Sequence, residues 1–213
     1  MLNFYSLIKS KGSHNPGFDL HHIELPFRML VCTASGGGKS NYVLNLLRLM
    51  TNTFTQIVIC TKAPEPLYDL LQEKVETVRV HYYSEGGIPD LDPSTPEQNK
   101  IVIYDDLVTT HDSKISESFI RGRKQGWSCV YISQSYFQTP KLIRQNVNYI
   151  ALGKGINLRD LRMILSEYSL DMTIDQMKEL YHKLTSKKMH FMTIDLLNNN
   201  IRSNIEEKVW PRE

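Results

Sequence analysis

TASGGGKS (residues 33–40) stands between an apolar run, FRMLVCT (27–33), and an amphipathic one, SNYVLNLLRLM (40–50). Its last residues, Gly38, Lys39 and Ser40, close the template of a phosphate-binding loop, G-x-x-x-x-G-K-[ST]. The first glycine of that template falls on Thr33, so the match is incomplete. A glycine-rich turn between strand and helix aims backbone N–H groups at phosphate oxygens, and the helix N-terminus adds partial positive charge. On this reading Ala34, Ser35, Gly36, Gly37, Gly38, Lys39, Ser40 and Asn41 form a nucleotide cradle. Lys39 reaches the β- and γ-phosphates and the Ser40 hydroxyl ligates Mg²⁺. Thr33 fits if its φ is negative, because three successive glycines keep the turn permissive. The bland alternative is a helix-starting turn with an ordinary exposed lysine.

Outward from the loop, apolar runs alternate with helical patterns. FRMLVCT reads as a buried strand, and Val43, Leu44, Leu46, Leu47 and Met50 recur at helical spacing. QIVIC (56–60) and VRVHYY (78–83) read as strands around a short helix, PLYDLLQEK (66–74). SEGGIPDLDPSTPEQN (84–99) is an acidic loop with two glycines and three prolines. KIVIYDD (100–106) is the clearest strand. A helix is expected over 113–124, a strand in WSCVYISQS (127–135), and a short helix in PKLIRQN (140–146) with proline in its first turn. NYIALG (148–153) is a strand, residues 157–168 and 173–184 are helices, and 190–205 holds two short strands around an Asn-rich turn. Strands separated by helices imply βαβ units and a mostly parallel sheet, α/β in class. Residues 1–24 form an N-terminal arm, 25–205 the domain and 206–213 a C-terminal tail.

Open α/β sheets bind ligands beyond the carboxyl ends of their strands. Three chemically loaded segments fall at such ends: TASGGGKS, YDD and SQS. Asp105 is placed to hold the Mg²⁺ shell, and Asp106 to orient or polarise the attacking water. Aspartate at 106 is one methylene shorter than the glutamate many ATPases use; the alternative role for Asp106 is to cap the following turn. Gln134 is placed to sense phosphate or position water, or is a loop glutamine. Arg121 and Arg123, in RGRK (121–124), are candidates for an arginine finger inserted into a neighbouring subunit's site, Arg123 favoured because it lies nearer Gly126. A solvated basic helix end is the rival reading. A strand lying between the TASGGGKS strand and the YDD strand would define the additional-strand class; sequence does not fix that order.

The chain has 213 residues, 41% hydrophobic, enough for one domain with a substantial core. A net charge of +2 excludes a histone-like protein, so nucleic-acid contact must be local or built by assembly. Cys32, Cys60 and Cys129 are far apart in apolar segments and read as reduced core residues, not a disulfide frame or a zinc site. No apolar stretch approaches the ~18 residues of a membrane span, so no membrane partner is expected. The N-terminus carries charges and lacks a small-residue cleavage site, so no signal peptide is expected.

LPFRMLVCTASGGGKSNYVLNLL, IVIYDDL, RGRKQGWSCVYISQSYF and TPKLIRQN, in this order, resemble the poxvirus-type genome-packaging ATPases, P-loop motors of the FtsK–HerA class carried by large DNA viruses, virophages and polinton-like elements. The resemblance covers about residues 24–153. It implies a P-loop NTPase of the additional-strand class, with a mostly parallel central sheet flanked by helices. It implies ATP and Mg²⁺ as ligands, Lys39 and Ser40 on nucleotide and metal, and Asp105 on Mg²⁺. Asp106 would be the second acidic position, Gln134 the polar sensor, and an arginine of RGRK the trans finger.

Such a protein would be a homo-oligomeric ring that hydrolyses ATP to drive double-stranded DNA into a preformed capsid, docked on a capsid or portal vertex. It would act in the host-cell cytoplasm or a viral factory, or in association with the virion. Backbone contacts position DNA without reading sequence. Lys141 and Arg144, spaced i, i+3, are the candidate grip residues, or else a solvated face. Two rival readings remain from the residues: a small-molecule or nucleoside kinase on a P-loop, and a nucleotide-binding scaffold without turnover.

Overall fold

Apolar runs without a polar face must be covered on both sides. The computed structural model, which describes residues 14–110, 112–168 and 170–211, covers them with helices on two faces of one sheet. The parallel strands are β1 (Arg28–Cys32), β2 (Gln56–Thr61), β3 (Val78–Tyr82), β4 (Lys100–Asp105), β5 (Trp127–Ser133) and β6 (Tyr149–Leu152). An antiparallel extension follows: β7 (Met192–Asp195), β8 (Asn200–Ser203) and β9 (Glu207–Trp210). The strand order is β3-β2-β4-β5-β1-β6-β7-β8-β9.

Side chains alternate across each strand, which divides the core in two. Met29, Val31, Ile101, Ile103, Val130 and Ile132 face one layer, built from α1 (Phe18–His21), α2 (Lys39–Leu49) and α3 (Pro66–Lys74). Leu30, Cys32, Val102, Tyr104, Cys129 and Tyr131 face the other, built from α4 (Ser113–Arg121), α5 (Lys141–Arg144), α6 (Leu158–Glu167) and α7 (Ile174–Leu184). The three cysteines are free and buried, as their apolar settings imply. The two helices expected over 157–168 and 173–184 start where their caps dictate. Asn157 accepts from the Asp160 N–H, and Thr173 forms a capping box with Gln176.

β5 lies between β1 and β4, which places the fold in the additional-strand class of P-loop NTPases. The helix expected over 113–124 is α-helical only to Arg121; Gly122–Gln125 tighten into a 3₁₀ turn that ends at Gly126. The segment expected as a tail, 206–213, is not separate: Glu207–Trp210 adds β9 to the sheet edge. Of the expected arm, residues 14–24 supply α1 and bury His21 and Ile23; residues 1–13 lie outside the described residues. Among the described residues no helix is long and apolar enough to cross a membrane.

Candidate functional site

The carboxyl end of β1 is held on both flanks. The Thr33 N–H donates to the Ser133 carbonyl at 3.3 Å, and the Gly153 N–H to the Cys32 carbonyl at 2.9 Å. The chain then turns sharply, with Gly36 at φ 68° and Gly38 at φ 94°, a left-handed region that favours glycine. Gly38 caps α2 without a side-chain hydrogen bond, so the first N–H groups of the helix face the loop.

Thr33 does not enter the cradle. It is fully buried, its φ is not left-handed, and its hydroxyl donates to the Lys154 carbonyl at 2.6 Å behind the loop. Its side chain needs two glycines to make room. A Cβ on Gly37 would come 2.4 Å from Thr33 Oγ1, and a Cβ on Gly153 2.6 Å. The missing first glycine of the template is therefore matched by glycine at 37 and 153.

Lys39 Nζ lies 3.3 Å from the Thr33 carbonyl and 3.4 Å from the Ala34 carbonyl, over the loop. Ser40 Oγ lies 3.4 Å from Asp105 Oδ2. Asp105 is buried, and burial pushes its carboxyl up; a hydrogen bond from Tyr68 and the Lys39 charge pull it back. Tyr68, from α3, donates to Asp105 Oδ2 at 2.6 Å. A hydroxyl and a buried carboxylate side by side are the hard oxygen donors Mg²⁺ takes, and an ionised carboxylate raised by burial is short of positive charge. The donor set fits the metal.

The remaining predicted residues separate. Gln134 is exposed at the end of β5, in the gap between the phosphate loop and β4. Asp106 is exposed and left-handed, with φ 55°. Asp105 points toward α2 and α3; Asp106 lies just past the end of β4, where its charge is felt by both Asp105 and Tyr131. Arg121 and Arg123 are exposed near the start of β5. The strand itself spans about 20 Å, so within one chain both arginines stand at the amino-terminal end of the central strands, opposite the cradle.

Lys141 and Arg144 do not form the expected two-cation grip. Lys141 is exposed, but Arg144 is spent internally. Its guanidinium lies 3.6 Å from Glu167, its Nε donates to the Thr139 carbonyl at 3.1 Å, and it stacks 4.9 Å over the Tyr136 ring. The α5 helix is only four residues long, and the rest of PKLIRQN is turn.

Two residues at the site were not expected. Tyr68 fixes Asp105, and Glu65, at the start of α3, is half-buried beside them. Burial pushes the Glu65 carboxyl up and Asp105 adds to it, while Ser40 and Lys39 pull it back, so Glu65 shares one electrostatic neighbourhood with all three. The carbonyl of Glu65 accepts from the Tyr68 and Asp69 N–H groups, which sets it one turn from the Asp105 contact. The adjacency comes from the pairing of β2 with β4, Thr61 opposite Asp105. In sequence, an acidic residue just beyond the carboxyl end of a buried strand was the available signal.

A strand–glycine loop–helix cradle, a buried aspartate at the neighbouring strand end and an intervening strand ending in glutamine together define a P-loop NTPase fold. Solved structures share it. The chain is similar to the genome packaging NTPase B204 from Sulfolobus turreted icosahedral virus 2 in complex with AMPPCP: TM-score 0.60, 14% identity, 88% of this chain and 100% of that one. It is similar to the DNA-packaging ATPase B204 from Sulfolobus turreted icosahedral virus, with TM-score 0.58, 13% identity, and 88% and 100% coverage. The cytoplasmic domain of the type VII secretion ATPase EccC from Thermomonospora curvata gives TM-score 0.58 at 13% identity, over 87% of this chain and 26% of that one. These are the architectures the sequence resemblance implies. No family model matches the chain, and no curated protein matches it by sequence.

Proposed function

We propose that this protein is an ATP-hydrolysing motor that drives double-stranded viral DNA into a preformed capsid as a homo-oligomeric ring. The observation that carries the reading is the convergence of Lys39, Ser40, Asp105 and Gln134 at one end of the sheet while Arg121 and Arg123 stand at the other. A finger so placed serves a neighbour's cradle, which makes turnover a property of the assembly. The similarity to B204 along that protein's full length supports the packaging role over other P-loop chemistries.

In this reading the loop N–H groups and Lys39 hold the phosphates, and Ser40 and Asp105 hold Mg²⁺. When bound, Mg²⁺ neutralises charge across the β- and γ-phosphate oxygens. Gln134 faces the γ-phosphate and orients water, while Asp106 or Glu65 accepts its proton. The arginine, Arg123 ahead of Arg121, stabilises charge from the adjacent subunit. Lys141 touches the DNA backbone, and the capsid or portal vertex is the docking partner, in the host cytoplasm or a viral factory.

The test is steady-state ATP hydrolysis at ~100 mM salt, with and without long double-stranded DNA, beside Lys39→Ala; salt is fixed because backbone binding depends on it. DNA-stimulated turnover lost in Lys39→Ala is the expected result. Turnover indifferent to DNA favours the kinase reading, and nucleotide binding without turnover favours a scaffold.

A further inference from the structure

The Mg²⁺ end of the cradle faces β4, because Ser40 and Asp105 meet there. A phosphate chain laid in the loop from that end leaves it on the far side of β1, toward β6 and β7. What stands there is Met189, in the turn before β7. A Cβ on Gly38 would come 3.0 Å from its Cγ, so Met189 lies against the last glycine of the loop. Met189 is 49% exposed and left-handed, with φ 62°. An apolar side chain is thus held half in water at the mouth of a polar loop, and no core packing explains it.

Beyond Met189 a cavity of about 200 Å³ opens along α2. Asn41, Asn45 and Arg48 line it, spaced i, i+4 and i+7 on one helix face. The turn between β8 and β9 closes the other wall with Asn204 and Glu206. Asn204 spends its side-chain oxygen on the Phe191 N–H at 2.9 Å, leaving its amide N–H₂ to donate. The Glu206 carboxylate is acceptor-only when ionised. Donor and acceptor therefore stand on one wall and a polarisable thioether at the entrance. An adenine edge offers the complement: an exocyclic amino group beside a ring nitrogen that accepts. Its flat face suits the thioether.

We infer that the cavity between α2 and the β8–β9 turn is the nucleobase pocket, with Met189 packing on an adenine face and Asn204 and Glu206 reading its edge. The inference rests on the nucleotide reading of the cradle and adds a base-specific site to it.

Competition binding on the full chain separates the two, using Mg·ATP and Mg·tripolyphosphate as ligands of one cradle. The native protein is expected to bind ATP more tightly than tripolyphosphate. Glu206→Ala and Met189→Ala are each expected to weaken ATP by about tenfold and to leave tripolyphosphate unchanged, which also shows that the variants are folded. ATP no tighter than tripolyphosphate in the native chain, or ATP affinity unmoved in both variants, overturns the base pocket alone. Failure of the native chain to bind either ligand overturns the cradle, and the pocket with it.

Discussion

Gly37 is the residue on which the unusual loop depends. A Cβ there would sit 2.4 Å from Thr33 Oγ1 and 2.9 Å from the Ala34 carbonyl. Thr33 cannot retreat, since Gly153 behind it is equally tight and its hydroxyl is bonded to Lys154. Gly37→Ala is therefore expected to weaken nucleotide binding by about tenfold, the scale of a small overpacking penalty. Thr33→Gly in the same chain should recover part of the loss, and titration with a fluorescent nucleotide measures both. Asp105 gives a second expectation, of opposite sign for stability and activity. Burial raises its folded-state carboxyl, so the ionised form is a cost to the fold. Asp105→Asn should raise the melting temperature at neutral pH while abolishing hydrolysis. A raised carboxyl is penalised only where the unfolded group is ionised, so the gain should vanish as pH falls toward about 4. A gain that persists undiminished in acid would contradict this cause. The sequence made Lys39, Ser40 and Asp105 readable because each sits in a contiguous motif. Glu65 and Tyr68 were not readable, because only the lateral pairing of β2 with β4 brings them to Asp105. If Glu65 accepts the water's proton, Glu65→Gln will stop single-turnover hydrolysis with nucleotide still bound, and Asp106→Asn will leave most of the rate. The reverse pattern assigns the proton to Asp106.

At the level of elements, buried parallel strands are long apolar runs and announce themselves, whereas short amphipathic pieces do not. That is why β1, β4 and β5 follow from sequence and β9 does not. Glu207, Lys208, Val209 and Trp210 carry no alternation, and charges on an edge strand are what keep such an edge from pairing with other chains. The α5 segment misleads for a different reason. Two cations at i, i+3 suggest a shared face, but Arg144 is drawn into the loop after β5. Asp160, buried on α6, accepts from Ser135 Oγ at 2.9 Å and from the Tyr136 N–H at 2.7 Å, which holds Tyr136 under the guanidinium. The two variants should therefore part company. Lys141→Ala should lower DNA affinity and flatten its salt dependence by about one unit of slope, with an unchanged melting temperature. Arg144→Ala should act mainly on stability, costing about 1–3 kcal/mol by removing a half-buried guanidinium from its partners. Denaturant unfolding beside DNA titrations over a salt series distinguishes them.

The whole molecule has its phosphate cradle at the carboxyl end of the central strands and its RGRK segment at their amino end, and the strand between them is about 20 Å long. Burial lowers the Arg28 guanidinium and the nearby Arg123 charge lowers it further, so two like charges are held together at that end of the sheet. In the proposed assembly the contact would be head-to-tail, because the patch that donates differs from the patch that receives; such contacts form a ring where the rotation between subunits closes. Complementation tests it. Lys39→Ala subunits have a dead cradle and an intact finger, and Arg123→Ala subunits the converse. Each alone should be inactive. Mixed in equal amounts, half of the cradles are intact and half of their neighbours carry the finger, so activity should return to roughly a quarter of the native level. Activity that stays at zero on mixing, with co-assembly verified, removes Arg123 from the trans site and moves the same experiment to Arg121. Full activity of Arg123→Ala alone removes it from catalysis altogether and leaves the basic end as a surface for the phosphate backbone of DNA.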